Sequence, residues 1–345
     1  MSLVSLLKKK TKNTLFTTPS HGQKFFIFNK FRQFYKYDIS ETETHDPQTA
    51  LSKAQERAKN IYGSKYTLFL TNGSSSGIIA SVLACTKPGE KVLIHNDAHQ
   101  SHLNAVKLAG CTPVYYEIPK IENWGIYGKT TSNLIEPFLK SNNISALIVT
   151  SPTYEGIVSD IKELKKICSE YNVRLIVDEA HGALYPFCDK LPESAVKIAD
   201  FTVQSLHKTA GGLNPTALLH SNCEINPKDA LAMINTTSPS YPLLATIEAN
   251  INFLNSRRFK KYMQSIISSI QDIKNQCLNV EFFGDDITKI NIKKENLTGY
   301  ELSAKLYSEF CIEDERTNDK STMLLCGIGT DLKKLERFKK ALRKL

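Results

Sequence analysis

The sequence predicts an α/β fold built around a largely parallel sheet, and two observations support this class. From about residue 50, short apolar runs of strand length alternate with segments of helix length. The runs, such as RLIVD at 174 to 178, are continuously apolar instead of alternating with polar residues. Continuous runs are typical of strands that are buried on both faces. Such strands, separated by helices, form a parallel sheet that helices cover on each side.

The elements of this sheet follow in chain order. Seven strands are predicted, at residues 66 to 70, 92 to 94, 112 to 116, 146 to 150, 174 to 178, 201 to 204 and 217 to 220. Five helices accompany them, at residues 50 to 59, 75 to 85, 99 to 108, 133 to 140 and 161 to 171. We therefore expect a mostly parallel seven-stranded sheet that is flanked by helices.

The character of the chain changes after Tyr241. A long helical stretch is predicted at 242 to about 277, followed by strands near 279 to 283, 287 to 292 and 322 to 327 and helices at 298 to 309 and 331 to 345. This pattern predicts a small α+β domain. The domains are then an N-terminal arm (1–45), a large α/β domain (46–240), a connecting helical segment (241–277) and the small domain (278–345).

The formal charge of +9 lies at the two ends of the chain. The first 36 residues hold eight basic side chains and no acidic one, and the last fifteen have a net charge of +5. Residues 37 to 330 therefore sum to −4. Because binding of nucleic acid through a folded surface needs basic residues on that surface, we expect no nucleic-acid partner.

The cysteines and the apolar runs indicate a cytoplasmic protein with no metal site and no membrane contact. The eight cysteines are scattered, without a Cys-x-x-Cys pair or a Cys/His cluster, and are interpreted as buried thiols in a reducing compartment. No apolar run reaches the roughly 20 residues that a membrane span needs. The opening MSLVSLLKKKTK places its apolar residues before its charges, the reverse of a secretory signal.

Polar residues crowd the carboxyl ends of the predicted strands, where ligands bind in open parallel sheets. The segment TNGSSSG (71 to 77) is a small-residue turn that opens a helix, and its N–H groups and hydroxyls suit a phosphate. Taken alone, such a turn is more often a simple helix cap. It matches neither a P-loop nor the G-x-G-x-x-G fingerprint, which disfavours an NTPase or an NAD enzyme.

The pairing of Asp178 with Lys208 carries more information. Asp178 ends a predicted strand, and Lys208 follows another strand thirty residues later. A lysine that forms a Schiff base, with a carboxylate that keeps a pyridine nitrogen protonated, is what pyridoxal phosphate requires. Either residue alone would be interpreted as a surface lysine or a capping aspartate, so the prediction depends on the two together.

Six blocks of sequence, in order, resemble the major domain of the class I ornithine/lysine/arginine decarboxylases, which are fold type I pyridoxal-phosphate enzymes. The blocks are TNGSSSG (71 to 77), DAHQSHLNAV (97 to 106), SPTYEGIVSDI (151 to 161), DEAHGA (178 to 183), QSLHKTAGGLNPTALLH (204 to 220) and TTSPSYPLLA (236 to 245). FTTPSHG (16 to 22) is similar to the entry segment of the family, and LTGYEL (297 to 302) to its small domain.

The resemblance implies pyridoxal 5'-phosphate as the cofactor and a role for each matching residue. Lys208 would form the Schiff base, and Asp178 would pair with the pyridinium nitrogen. His99 would stack on the cofactor ring, and His181 would lie beside it. The phosphate would be surrounded by Ser75, Ser76, Ser205 and His207. Lys208 or His207 would return a proton to the product.

The resemblance also implies partners. Thr237 and Ser238 would reach across a homodimer interface toward the neighbouring cofactor, and the N-terminal arm would contact the partner subunit. The substrate would be an amino acid. Family members continue into a C-terminal domain that contributes to the substrate entrance, whereas this sequence ends at Leu345, so we expect a short form in which that entrance differs.

Three functions remain open at this point. The first is decarboxylation of lysine, ornithine or arginine, with the distal cation held by an acidic lining for which Glu41, Glu43 and Asp46 are candidates. The second is another reaction on this scaffold, namely that of an aminotransferase, an aldolase or an acyl-CoA-condensing synthase. An aminotransferase needs an arginine for the α-carboxylate, and the candidates are Arg316, Arg337 and Arg343. The third is a truncated, non-catalytic homologue.

Several neighbouring residues are given structural roles. Strand alternation directs Glu179 away from Asp178, and we expect it to form a salt bridge. Five histidines are interpreted as structural: His21, His45, His95, His102 and His220. No role is assigned to Trp124.

Overall fold

The computed structural model describes residues 2–10, 36–39 and 47–345. The predicted entry segment at 16 to 22 and the candidate residues Glu41, Glu43 and Asp46 lie outside the described residues, as do His21 and His45. The helices before residue 240 are α1 (Leu3–Lys10), α2 (Pro47–Tyr62), α3 (Gly73–Cys85), α4 (Gln100–Leu108), α5 (Ser132–Asn142), α6 (Ile161–Glu170), α7 (Leu206–Thr209) and α8 (Lys228–Ala232).

A mostly parallel seven-stranded sheet forms the centre of the molecule, as predicted. The strands up to residue 221 are β1 (Tyr66–Leu70), β2 (Lys91–His95), β3 (Thr112–Tyr116), β4 (Lys120–Ile121), β5 (Ile126–Tyr127), β6 (Ile144–Thr150), β7 (Arg174–Asp178), β8 (Phe201–Ser205) and β9 (Ala217–Ser221). The sheet has the order β1-β9-β8-β7-β6-β2-β3, in which only β9 runs antiparallel to its neighbours. The two short strands β4 and β5 form a separate hairpin that the sequence did not predict.

Burial on both faces explains the continuous apolar runs. In β7, Leu175 and Val177 pack into one hydrophobic cluster with α6, while Ile176 packs into another with α3 and α4. All three side chains have 0% exposed surface. Because successive side chains of a strand point to opposite faces, Asp178 continues on the face of Ile176, toward α3 and α4.

The helical stretch predicted at 242 to about 277 is present and consists of two helices. Helix α9 spans Tyr241–Leu254 and α10 spans Arg257–Gln276. Ser256 separates them because its hydroxyl accepts a hydrogen bond from the backbone N–H of Phe259 at 3.1 Å. A serine in this position caps a new helix.

A second, antiparallel sheet follows. It has the order β10-β11-β13-β12, and its strands are β10 (Glu281–Phe283), β11 (Lys289–Lys293), β12 (Arg316–Thr317) and β13 (Thr322–Leu325). Helices α11 (Gly299–Phe310) and α12 (Leu332–Lys344) accompany it. Strand β12 was not predicted, because two residues are too short to give an apolar pattern. The division into domains remains a prediction.

The smaller sheet packs against the loops that follow the central strands. The ring of Trp124 stacks on Phe283 with 5.1 Å between ring centroids, and its carbonyl oxygen accepts a hydrogen bond from Ser321 at 2.9 Å. Asn291 of β11 donates to the carbonyl oxygen of Glu155 at 2.7 Å. Trp124, which had no predicted role, therefore joins the hairpin β4–β5 to the smaller sheet.

The cysteines are all free, but they are not all buried as predicted. Cys311 is exposed, because it ends α11 with a left-handed backbone conformation at the surface. Within the described residues, no group of three or more His, Cys, Asp or Glu side chains could hold a metal ion. None of the described helices is both long enough and apolar enough to cross a bilayer.

Candidate active site

One cavity collects most of the side chains that the sequence predicts for the site. It has a volume of about 630 Å³ and lies at the carboxyl ends of β6 and β7, beside α7 and the start of α3. Six of the ten predicted site residues line it, namely Ser75, His99, Asp178, His181, His207 and Lys208. The location agrees with the rule that ligands bind at the carboxyl ends of parallel strands.

Asp178 is held in place by a histidine from α4. Its Oδ2 atom accepts a hydrogen bond from Nε2 of His102 at 3.0 Å, and both side chains are buried. Burial alone would raise the pKa of Asp178. The hydrogen bond and charge of His102 and the nearby Lys208 ammonium lower this pKa overall. Asp178 is therefore a buried carboxylate that stays ionised at the cavity wall.

Lys208 and His181 form the second pair of the site. The Nζ atom of Lys208 lies 3.0 Å from Nε2 of His181. Burial lowers the pKa of Lys208, although Asp178 and Glu315 oppose this shift. Burial, together with the positive charges of Lys208 and Lys289, holds the pKa of His181 well below its usual range. A neutral His181 can accept a hydrogen bond from the lysine amine.

His99 and His207 reach the cavity from two further elements. His99 caps α4, and its Nδ1 atom accepts a hydrogen bond from the backbone N–H of Ser101 at 3.2 Å. Burial lowers the pKa of His99, so the neutral ring is favoured. Nδ1 of His207 donates to the carbonyl oxygen of Thr216 at 3.1 Å, which fixes the orientation of that ring.

The serines are divided between the cavity and the interior. Gly73 opens α3 with a φ of +74°, and Ser75 in its first turn faces the cavity. Ser76 does not line the cavity, because its hydroxyl donates to the carbonyl oxygen of Gly73 at 2.8 Å. The hydroxyl of Ser205 is buried and finds no hydrogen-bond partner within the described part of the chain.

Thr237 and Ser238 are not brought to the cavity of their own chain. Both are exposed, and the hydroxyl of Ser238 lies 3.1 Å from that of Thr236. The predicted role of these two residues at a partner's cofactor stays a prediction.

Glu179 does not form the salt bridge that was predicted. Its carboxylate is buried and accepts hydrogen bonds from Ser194 Oγ at 2.8 Å, from the backbone N–H of Ala195 at 3.0 Å and from Gln204 Nε2 at 2.8 Å. The side chain points away from Asp178, as strand alternation requires. Since these partners are uncharged, burial raises the pKa of Glu179 to about 7.

The sequence assigned no role in the site to Tyr154 or Glu155 and interpreted His102 as structural. Tyr154 and Glu155 follow β6 and face the cavity. Arg316, one of three arginines considered, extends from β12 to the same cavity, while Arg337 and Arg343 do not line it. One signal was available for His102, because it lies three positions after His99 and therefore on the same side of α4.

A buried ion pair connects the smaller sheet to this site. Nζ of Lys289 lies 2.7 Å from Oδ2 of Asp286 and donates to the carbonyl oxygen of His181 at 2.8 Å. The hydroxyl of Tyr185 also donates to Oδ2 of Asp286, at 2.8 Å. The loop that carries His181 is therefore held by a cation from β11.

Residues 6–315 match the family model described as "Orn/Lys/Arg decarboxylase, major domain". The chain belongs to this decarboxylase family. The arginine decarboxylase of Bacillus subtilis (strain 168) is 29% identical over an alignment that covers 96% of this chain and 74% of that protein.

Solved structures show the fold of the chain. The lysine decarboxylase of Francisella novicida superposes with a TM-score of 0.85 at 19% identity, over 99% of this chain and 59% of that one. An alanine–glyoxylate aminotransferase from Nostoc sp. gives a TM-score of 0.66 at 12% identity, over 89% of each chain. The fold of this family member is therefore that of the fold type I pyridoxal-phosphate enzymes. The chain spans about three fifths of the length of the lysine decarboxylase.

The cavity of this decarboxylase family member fits pyridoxal phosphate. Asp178 supplies an ionised carboxylate for a ring nitrogen, and Lys208 supplies an amine whose pKa is lowered. The start of α3, where Ser75 faces the cavity, supplies donors for a phosphate. These protein groups match the three polar parts of the cofactor: the ring nitrogen, the aldehyde and the phosphate.

Proposed function

We propose that this chain is a pyridoxal-phosphate-dependent decarboxylase of a basic amino acid: lysine, ornithine or arginine. The observation that carries the proposal is that Asp178 and Lys208 line one cavity, with Asp178 held ionised by His102. The class of substrate is supported by the relatives, which are named arginine, lysine and ornithine decarboxylases.

Each side chain of the pair then has a defined task. When bound, pyridoxal phosphate withdraws electrons from the α-carbon of an attached amino acid, so that the bond to the carboxylate can break. Asp178 holds a proton on the ring nitrogen through its Oδ atoms, and its low pKa keeps it negative in this role. His102 keeps the carboxylate directed into the cavity. His99, which lines the cavity, would stack on the ring and exclude water from it.

Proton transfer is the task of the second pair. The amine of Lys208 would hold the cofactor as a Schiff base and would be free to act on protons once the substrate is bound. Because its pKa is lowered, the free amine exchanges protons near neutral pH more readily than an exposed lysine. Neutral His181 orients this amine, and Lys208 or His207 then delivers a proton to the α-carbon of the product.

The remaining predicted contacts form part of the same proposal. Ser75 and His207 would hold the phosphate, whereas Ser76 and Ser205, which were predicted to do so as well, do not line the cavity. Thr237 and Ser238, which are exposed and distant from their own cavity, reach the site of a second subunit in a cytoplasmic homodimer. Light scattering of the purified protein tests the dimer, and a monomer that retains cofactor would contradict it.

The direct test compares the wild-type chain with Lys208→Ala. We expect the wild type to show the visible absorbance of lysine-bound pyridoxal phosphate and to release CO2 from at least one basic amino acid. Lys208→Ala should lose both, whereas Lys162→Ala, at an exposed surface pair, should keep both. Bound cofactor in the wild type without CO2 release from lysine, ornithine or arginine would contradict the proposal.

An aminotransferase is the second candidate, because Arg316 faces the cavity. An arginine in this position can bind the α-carboxylate of a substrate. Assay of keto acid formation from the same amino acids separates the two reactions. Keto acid without CO2 would establish the second.

A further inference from the structure

A cluster of charged and aromatic side chains in the same cavity has no task in the reaction above. The side chain of Glu155 is 10% exposed, and its Oε1 atom lies 3.2 Å from Nε of Arg316. The guanidinium carbon of Arg316 lies 4.8 Å from the centroid of the Tyr154 ring. The Tyr154 hydroxyl in turn donates to Glu315. All but Glu315 line the cavity.

A buried carboxylate beside an aromatic ring is an arrangement that binds organic cations. A largely buried carboxylate supplies charge-assisted hydrogen bonds, and an aromatic face adds cation–π attraction. Burial and the hydrogen bond to Glu315 raise the pKa of Tyr154 to about 12, so the ring stays a neutral phenol. In this structure the guanidinium of Arg316 makes both contacts, the ion pair with Glu155 and the cation–π contact with the Tyr154 ring. Its side chain remains 53% exposed, so it can leave without disrupting the core.

The cluster lies next to the reactive amine. The ring of Tyr154 is 4.4 Å from the ring of His181, measured between centroids. Nε2 of His181 is 3.0 Å from Nζ of Lys208. A substrate whose α-carbon is near Lys208 therefore has this carboxylate and ring in the wall of the same cavity.

We propose that Glu155 and the Tyr154 ring form the subsite for the distal cation of the substrate, and that Arg316 occupies this subsite when substrate is absent. The proposal rests on the proposed function, since it assigns the side-chain end of the same substrate. It makes Glu155 a specificity-determining residue and Arg316 an internal competitor of the substrate cation.

The alternative task for Arg316, binding the α-carboxylate, suits decarboxylation less well. The carboxylate loses its negative charge as CO2 leaves, so an ion pair with arginine would stabilise the reactant more than the transition state. The charge of Arg316 is also already matched by Glu155.

The first experiment measures the initial binding step by rapid mixing, before CO2 is released. Arginine and citrulline have nearly the same shape but differ in charge, as do lysine and norleucine. Each is titrated into the cofactor-loaded protein, and the change in cofactor absorbance is followed. We expect the wild type to bind at least one charged ligand about tenfold or more tightly than its neutral analogue. Glu155→Gln should remove most of this preference, whereas Glu193→Gln, at an exposed surface pair, should keep it.

The second experiment uses Arg316→Gln, a change at a half-exposed position that should not affect folding. If Arg316 competes with the substrate, this variant should bind the charged ligand several-fold more tightly and the neutral analogue unchanged. Weaker binding of charged and neutral ligands alike would instead assign Arg316 to the α-carboxylate and overturn the proposal. An unchanged preference in Glu155→Gln would overturn it as well.

Release of CO2 is measured separately, so the two proposals can fail independently. In the first case, the wild type releases CO2, but Glu155→Gln keeps its preference for the charged ligand. The proposed reaction would then be retained and the proposed subsite would be rejected. In the second case, the wild type releases no CO2, but Glu155→Gln still binds charged and neutral ligands equally. The subsite would then be retained and decarboxylation would be rejected.

Discussion

At the scale of single residues, the contact between His102 and Asp178 shows how far a sequence pattern reaches. The position of Asp178 at a strand end followed from the apolar run before it. Its partner did not, because His102 lies 76 positions away and belongs to a helix whose packing was unknown. Strand alternation and the three-residue spacing from His99 point to the contact only when the relative placement of β7 and α4 is known.

We predict that His102→Leu raises the pKa of Asp178, because burial then acts without the opposing hydrogen bond. In the wild type this pKa is lowered, so the ionised form persists until the pH falls through that low value. In the variant the carboxylate takes up a proton at a higher pH, so cofactor binding should be lost at a higher pH on acidification than in the wild type. Cofactor absorbance measured from neutral pH downward, until the wild type also loses cofactor, checks this.

His102→Gln serves as the matched control for that experiment. Its amide keeps a donor for Asp178, so it should restore part of the acid tolerance. If His102→Leu and the wild type lose cofactor at the same pH, Asp178 does not depend on His102 for its charge.

At the scale of elements, Glu179 ties β7 to β8 and to the turn at Ser194 and Ala195. It does so as a buried carboxylate with uncharged partners. The sequence indicated correctly that Glu179 faces away from Asp178, but not that its partners would be uncharged. A strand pattern specifies the face of a side chain, whereas the partner depends on which loop covers that face.

We predict a pH-dependent stability from Glu179. Its folded pKa of about 7 lies above the ordinary value of 4.5. The stabilising contribution is therefore fully present below about pH 4.5 and is lost as the pH rises through 7, by roughly 3 kcal/mol. Glu179→Gln lacks this titration, and the unpartnered Oε1 of Gln204 offers an acceptor for the new amide.

Urea unfolding at pH 5 and pH 8 measures this effect. The stability of Glu179→Gln relative to wild type should increase between the two pH values. For the exposed variant Glu193→Gln, the stability relative to the wild type should be the same at both pH values. A difference for Glu179→Gln that does not change with pH would contradict the raised pKa.

The buried pair of Lys289 and Asp286 is the strongest link between the smaller sheet and the site. Lys289→Met leaves the Asp286 carboxylate without its cation and the His181 carbonyl without its donor. We expect a loss of about 3–5 kcal/mol in the free energy of unfolding, because an unpaired buried charge is costly. Lys289→Met combined with Asp286→Asn should recover part of this loss, and the exposed variant Lys320→Met should show none.

The element pattern was predicted well where strands are long and apolar. All seven strands of the large sheet were expected within two residues of their observed ends. The elements that were not predicted are the two-residue strands, which have no readable period, and the short helices α1, α7 and α8. The failure to predict strand β12 affects the site most, because this strand carries Arg316 to the cavity.

At the scale of the whole molecule, the charge map and the packing of the N-terminal helix bear on the same segment. Helix α1 carries part of the basic charge of the arm, yet its apolar side packs on this chain's own helices. Leu3 and Leu7 are buried in a cluster with α2 and α9, and the backbone N–H of Leu3 donates to Glu248 at 2.6 Å. This part of the arm is therefore held by apolar burial and one capping carboxylate.

We predict that Leu7→Ala lowers the free energy of unfolding by about 2–4 kcal/mol, because it leaves a cavity between α1 and the helices beneath it. Lys9→Ala, two residues later on the exposed side of the helix, should change it by less than about 0.5 kcal/mol. Cofactor content should be unchanged in both, since α1 does not line the cavity. Removal of residues 1–13 extends the test: a truncated chain that keeps its oligomeric state would show that the basic arm is not needed for subunit contact. Dissociation would assign the arm to the interface if Leu7→Ala, which loses part of the same packing, keeps its oligomeric state. If Lys9→Ala destabilised the chain as much as Leu7→Ala, charge and not apolar burial would hold the segment.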